Sequence, residues 1–388
     1  MKIRKVLVNL SVLVVTTVIA VLLGEFVARL ALNPSDYLGV EMVQDDVLGA
    51  VPSATAKAGF DAWGFRNREV PKTADIVAVG DSHTFGNTAK MDDSWPYVLG
   101  RLTGRHAYNM GMGGYGPNQY FYLSNSKALS LKPNVIVWGL YMGDDFQNAY
   151  EITYGLNYWA NLRKLPGQNV DADIWDPPAP KPSWLKKARV WLSWHSVIYQ
   201  LVFHASPGGR LQGEALIRKA AQLYPGEATS LIVPTKNILE AFRPRSMLSR
   251  LDQENQEIRE GMRITFELIK EMNEICQQHH IRFLVVVIPI KEEVFSDYLE
   301  NNPQLPLNDV LDKLLPNDRL AREKTFEFLT ESNIPYVDPL PALKHSAGNE
   351  LYARSATDMH PSKNGYRVIA EAIFEAYKRA PEVLQASH

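Results

Sequence analysis

Short apolar runs alternate with longer amphipathic stretches along this chain, and the two periods predict its elements. Five runs read as β-strands: residues 75–80 (DIVAVG), 106–111 (HAYNMG), 134–141 (NVIVWGLY), 281–289 (IRFLVVVIP) and 334–338 (IPYVD). The unbroken apolar stretch from Phe283 to Ile288 suits a strand buried on both faces, as in a parallel sheet. Helical text separates the runs at residues 94–104, 118–131, 253–280, 317–332 and 365–380. Strands alternating with helices predict βαβ units, hence a three-layer α/β/α sandwich of about five parallel strands with a flavodoxin-like layout.

Two stretches depart from that rhythm. Lys2, Arg4 and Lys5 precede an uncharged apolar run from Val6 to Leu23. Its 18 residues would rise about 27 Å as a helix, close to a bilayer core of about 30 Å. A cleaved signal peptide usually has a shorter apolar region, and the one passable cleavage pattern, Val18-Ile19-Ala20, falls inside the run. Residues 1–32 therefore read as a cytoplasmic stub and single transmembrane anchor. The basic cluster stays cytoplasmic and everything beyond lies on the periplasmic or extracellular side.

The second departure is residues 146–249, an insertion where one crossover would suffice. It holds five of the eight tryptophans: Trp159, Trp175, Trp184, Trp191 and Trp194. Trp184, Trp191, Trp194, Ile198 and Leu201 fall on one helical face. Four readings stand: a helical subdomain with its own aromatic core, a lid over a site, a sugar-stacking surface, or an interfacial helix helped by Lys186, Lys187 and Arg189. Residues 33–74 read as a lead-in packed on the main domain, which comprises 75–145 and 250–388.

Composition narrows the function classes. Lys+Arg 41 against Asp+Glu 43 leaves no overall field for nucleic acid. The single cysteine, Cys276, rules out an internal disulfide framework and a Cys-rich zinc site. None of the nine histidines forms a metal-ligand spacing, so no metal or cofactor is expected.

The chemistry sits at strand ends. In a doubly wound sheet, ligands bind beyond the carboxyl ends of the strands, and Ser82 of VAVGDSHTFGN stands there. A serine becomes nucleophilic when a base takes its proton and a third group orients the base. In DMHP, Asp358 and His360 are two apart, so in an extended segment they project to one side; Pro361 would then begin the last helix. His83, beside Ser82, is a pocket candidate. The glycine-rich NMGMGGYG after the second strand can supply backbone N–H donors to an oxyanion. Gly111, Gly113 and Gly116 also satisfy G-x-G-x-x-G, but the acidic residue a dinucleotide site needs about 20 positions on is missing. Ser82 also lacks the Gly-x-Ser-x-Gly elbow of α/β-hydrolases.

These pieces in this order resemble the SGNH (GDSL-like) hydrolase superfamily, in particular its membrane-anchored bacterial members. GDSHTFG, NMGMGGYGPNQ, YMGDDFQN and DMHP stand as its four motifs, with WGFRN in the lead-in; the Trp-rich insertion lies outside the likeness. The resemblance implies Ser82 as nucleophile, His360 as base and Asp358 as orienting carboxylate, with the Ser82 N–H and Gly114 in the oxyanion hole. The third oxyanion position, an asparagine in the family, is Asp144 here, followed by Asp145, which with Asn148 is a further pocket candidate. An ionised carboxylate only accepts hydrogen bonds and repels an oxyanion. Three alternatives follow: Asp144 is held protonated and donates, Asn148 one turn on replaces it, or the site is slow or non-hydrolytic.

The resemblance implies a serine esterase cleaving acyl esters, O-acetyl foremost, on a cell-surface glycan or lipid. Two other functions compete: O-acyltransfer within an envelope polysaccharide machinery, and a non-catalytic binding or assembly module.

Overall fold

The computed structural model describes residues 2–53, 59–166, 183–205, 215, 217–233 and 238–379. Helix α1 (Lys2–Ala31) is unbroken, and its apolar side chains from Val6 to Leu30 stand exposed, which makes it long and apolar enough to span a membrane. A short antiparallel hairpin follows, β1 (Met42–Asp45) and β2 (Gly49–Pro52). Asp45 closes its turn by accepting from the N–H groups of Val47 and Leu48. The hairpin is tied to the main domain where the Tyr115 hydroxyl donates to the Ala50 carbonyl at 2.7 Å and the Trp159 indole to Val47 at 2.8 Å.

The central sheet contains β3 (Ile76–Gly80), β4 (Ala107–Gly111) and β5 (Val135–Tyr141). Beyond a separate hairpin of β6 (Thr229–Val233) and β7 (Ile238–Phe242), it is completed by β8 (Arg282–Ile288) and the short β9 (Tyr336–Val337). All pairings within it are parallel, and the order is β4-β3-β5-β8-β9. This matches the five expected runs, with buried residues throughout β3, β4 and β5, as the continuous apolar text requires. The direction of winding reverses between β3 and β5, so the ligand crevice belongs at their carboxyl ends.

Around the sheet run α2 (Ser82–Phe85), α3 (Trp95–Thr103), α4 (Pro117–Leu123) and α5 (Asp145–Gly155). α3 packs on the last helix, Lys363–Arg379, while α4 and α5 pack on the long helix Gln256–Gln278. The helix expected at 317–332 starts earlier, at Asn308, and continues through Pro316. Only the first half of the expected helix 118–131 is α-helical; a π turn and a 3-10 turn complete it. The last helix begins at Lys363, two residues after Pro361. Pro361 forms an isolated bridge with Tyr352 instead, and the Ser362 hydroxyl accepts from the Asn364 N–H at the helix start.

The insertion is less separate than its sequence suggests. Phe146, Ala149, Ile152, Trp159 and Leu162 are buried in the main core, so the boundary drawn at 146 falls inside it. Farther on, Ile217, Ala220, Ala228 and Ala241 form a small cluster with Ala356, in the loop that carries Asp358. The single amphipathic helix expected across Trp184–Leu201 is two helices, α6 (Trp184–His195) and α7 (Val197–Ala205). The break is capped from outside: Glu25 accepts from the N–H groups of Val197 and Ile198 and from the Ser196 hydroxyl, stabilising a new helix start. Trp184, Trp191 and Trp194 are exposed and form no internal core; Trp175 and the Lys186 side chain lie outside the described residues.

One packing feature positions the reactive turn. Gly80 pairs with Gly111 on one side and with Gly139 on the other, forming a row of glycines across three strands. α2 lies directly on this row. A Cβ on Gly80 would sit 2.0 Å from Thr84 Oγ1, one on Gly139 2.3 Å from the same atom, and one on Gly111 2.2 Å from the Phe85 nitrogen. The row therefore fixes how low the turn after β3 can sit. Gly139→Ala is expected to cost about 1–3 kcal/mol by overpacking. Thermal unfolding would show a lowered midpoint, and labelling of Ser82 by a fluorophosphonate would slow, because the added methyl lifts α2.

Candidate active site

Ser82 is the first residue of α2, with Asp81 as its N-cap: Asp81 Oδ1 accepts from the His83 N–H at 2.8 Å. A backbone N–H at this position has no partner within its own helix, so that of Ser82 is available to an anion. The loop after α2 is held by the lead-in. Buried Arg66 donates to the carbonyls of Gly86 at 2.9 Å and Ala89 at 2.8 Å, and pairs with Asp36 at 2.8 Å. Asp36 also accepts from the Met91 N–H. WGFRN thus contributes a clamp on the loop that follows Ser82.

Asp358 and His360 arrive from the other end of the chain. Asp358 Oδ1 accepts from the His360 backbone N–H at 2.9 Å and from its Nδ1 at 2.7 Å. With Nδ1 protonated in this way, Nε2 is left to accept from the Ser82 hydroxyl at 2.8 Å. Burial pulls the His360 pKa down, but the hydrogen bond and charge of Asp358, with Asp81 and Asp144 behind them, hold it above the ordinary histidine value. Burial pushes Asp358 up, and the pairing with His360 more than reverses that. The amide of Asn87 stands 3.4 Å from His360 Nε2, on the nucleophile side of the ring.

Gly114, expected in the oxyanion hole, takes a left-handed φ of +78°, and Asp144 precedes the N-terminus of α5. Gly114, Asp144 and Asn148 line one polar cavity of about 310 Å³, together with Gln147, Glu151 and Arg250. Oxygens of Asp81, Asp144 and Asp145 lie within 4.8 Å of one another. Three carboxylates so close, two of them buried and Asp144 half-buried, cannot all ionise. Burial and the charge of Asp81 push Asp144 up to about 7, against the pull of Arg250 and His360. Its Oδ2 meets Arg250 at 3.3 Å, while Oδ1 is buried without a hydrogen-bond partner. Near neutrality Asp144 is therefore a carboxylic acid for a large part of the time, able to donate as an asparagine in its place would.

Two pocket candidates have other places. His83 is buried, stacks on Tyr141 at 3.7 Å between ring centres, and pairs through Nδ1 with Asp81 at 3.0 Å. It supports the turn from below, its ring centre 4.9 Å from that of His360. Asp145 is also buried, accepting from the Tyr120 hydroxyl and the Tyr141 N–H at 2.8 Å each, and it ties β5 to α5. The sequence reading did not single out Asp81, Asn87, Arg66 or Arg250. Asp81 was visible as the residue before Ser82, and Arg66 lay within the quoted WGFRN; nothing local marked Arg250.

No family model and no curated relative matches this chain. Among solved structures it is similar to a protein described as a lipolytic protein of the G-D-S-L family from Desulfitobacterium hafniense. The identity is 15%, covering 77% of this chain and 97% of that one, with a TM-score of 0.36. It is similar also to a protein described as an acylhydrolase from Bacteroides fragilis (13% identity, 80% and 90% covered, TM-score 0.36). A third is a catalytic mutant of an acetylxylan esterase from Geobacillus stearothermophilus (11% identity, 82% and 99% covered, TM-score 0.35). Overlaps this loose leave the side-chain geometry to decide what the site can do.

Two pH effects follow. The base must be neutral to accept the Ser82 proton, so a raised His360 pKa moves the acid limb of Ser82 reactivity toward higher pH. Asp358→Asn removes the strongest raising partner and leaves burial opposed only by Asp81 and Asp144. The limb should then move to lower pH than in the parent, with fluorophosphonate labelling slowed by about 10⁴-fold. Asp144 donates only while protonated, so reactivity should decline above about pH 7. Asp144→Asn should abolish that decline, gaining up to about 10²- to 10³-fold at high pH and little at pH 6. Parallel profiles for the variant and the parent would refute a donating Asp144.

Proposed function

We propose that this chain is a membrane-anchored serine esterase of the SGNH type, with its catalytic domain outside the cytoplasm and Ser82, His360 and Asp358 as its triad. The observation that carries the reading is the unbroken relay from Ser82 Oγ through His360 to Asp358 at the switch point of a parallel sheet. Ser82 Oγ attacks the ester carbonyl carbon as its proton passes to His360 Nε2. The Ser82 and Gly114 N–H groups and protonated Asp144 stabilise the oxyanion. Collapse breaks the bond to the alcohol oxygen, which takes the proton from His360 and leaves an acyl-serine. Water then attacks the acyl carbon, gives its proton to His360 and releases the acid while Ser82 is re-protonated.

The surroundings support an acyl group longer than acetyl. A second cavity, of about 700 Å³, is lined by Leu38, Val40, Met42, Phe85 and Met112 and reaches Asn87 and Gly113 at the site. That is far more space than one acetyl group fills, and its apolar walls suit a hydrocarbon chain. The polar cavity beside Gly114 favours a second reading, acyl transfer to a polyhydroxylated acceptor seated there in place of water. A pure binding module is less well supported, because binding alone gives no reason to align Ser82, His360 and Asp358.

The test is intact-mass analysis after fluorophosphonate treatment, followed by assay of p-nitrophenyl esters of graded chain length. A single adduct lost in Ser82→Ala and in His360→Ala is expected, and its absence from folded parent protein would reject the esterase. Val40→Trp should cut turnover of long-chain esters by about tenfold or more and spare the acetate. Free acid as the product supports hydrolysis, and acylated glycan supports transfer.

A further inference from the structure

The tryptophan-rich helix α6 has no role in the relay, yet it leaves large apolar side chains uncovered: Trp184 is 74% exposed, Trp191 59% and Leu185 55%. Lys187 and Arg189 are exposed on the same helix. α6 and α7 meet at Ser196, and this junction is fastened to α1. Glu25 takes the Ser196 hydroxyl at 2.9 Å, the Val197 N–H at 2.9 Å and the Ile198 N–H at 3.1 Å, while Arg29 donates to the His195 carbonyl at 2.8 Å. Ile198 sits against Gly24 of α1 closely enough that a Cβ there would lie 2.7 Å from its Cδ1.

The depth of this junction is set by the anchor. The uncharged run of α1 ends at Gly24, and its 19 residues from Val6 rise about 28 Å, so Glu25 falls where the hydrocarbon gives way to headgroups. We propose that α6 lies in the headgroup layer of the bilayer crossed by α1, with its tryptophans among the lipids and Lys187 and Arg189 meeting anionic headgroups. Tryptophan with basic residues is the composition such helices use, and the link to Glu25 holds α6 at the depth where they act. The inference rests on the anchor reading of α1. Trp194 lies within 3.9 Å of where a Cβ of Gly39 would stand, and Gly39 lines the apolar cavity beside Ser82, so α6 brings lipid to the edge of that cavity.

The test uses the full chain in vesicles of phosphatidylcholine and phosphatidylglycerol, with buried Cys276 replaced (Cys276→Ala) and an environment-sensitive fluorophore on Ala188→Cys or, separately, on Val14→Cys. Lipids carrying a nitroxide at a shallow or a deep acyl position are the quenchers. The expected result is strong shallow quenching at 188 and deep quenching at 14. Quenching at 14 with none at 188 would overturn the inference and leave the anchor standing, whether 188 is in water or covered by a second copy. No quenching at either position would overturn the anchor reading itself. In Glu25→Ala, quenching at 188 should fall severalfold while that at 14 persists; unchanged quenching at 188 would refute docking through Glu25.

Discussion

The site depends on how closely a helical turn can approach a sheet. Gly80, Gly111 and Gly139 lie side by side at the ends of three parallel strands, and Thr84 and Phe85 rest on them where side chains would otherwise stand. Because α2 is so low, Ser82 leaves β3 at a height where the C-terminal loop can bring His360 Nε2 to 2.8 Å. The same low position puts Asp81 among Asp144, Asp145 and His83. One steric allowance thus places Ser82 and concentrates the carboxyl groups around it.

That concentration bears on the protonation of Asp144. Burial withdraws its carboxyl from water, and with Asp81 close by, releasing its proton would add a charge to a region that already holds one. Arg250 and His360 pull the other way. Asp81 is the charge the two groups share: it helps to raise both His360 and Asp144.

Much of this was legible in the chain because the signals are local or ordered. Unbroken apolar runs gave β3, β5 and β8, and the placement of Ser82 after one strand and of Asp358 and His360 before a terminal helix matched a known motif order. What stayed hidden depends on distant partners. Arg250 reaches Asp144 across 106 positions, and the break at Ser196 is made by Glu25, 171 positions away. The hairpin β1–β2 is short and half-exposed, so its text carries little alternation. His83 and Asp145 looked like pocket residues because they adjoin Ser82 and Asp144; in a strand-to-helix turn, adjacent side chains diverge, and these two point into the protein.

The Arg66–Asp36 clamp has a kinetic consequence. Asp36 is five residues past the end of α1, and that length of chain reaches at most about 18 Å, so the loop bearing Ser82 is tethered close to the end of the helix. If α1 is embedded, the nucleophile patrols a thin slab above its own bilayer. Encounters with molecules in that bilayer become a two-dimensional search, governed by surface density and lateral diffusion, whereas molecules in bulk solution count only by the fraction that enters the slab. Rates would then scale with mole fraction in the membrane and fall when the surface is diluted with inert lipid, even at constant total concentration.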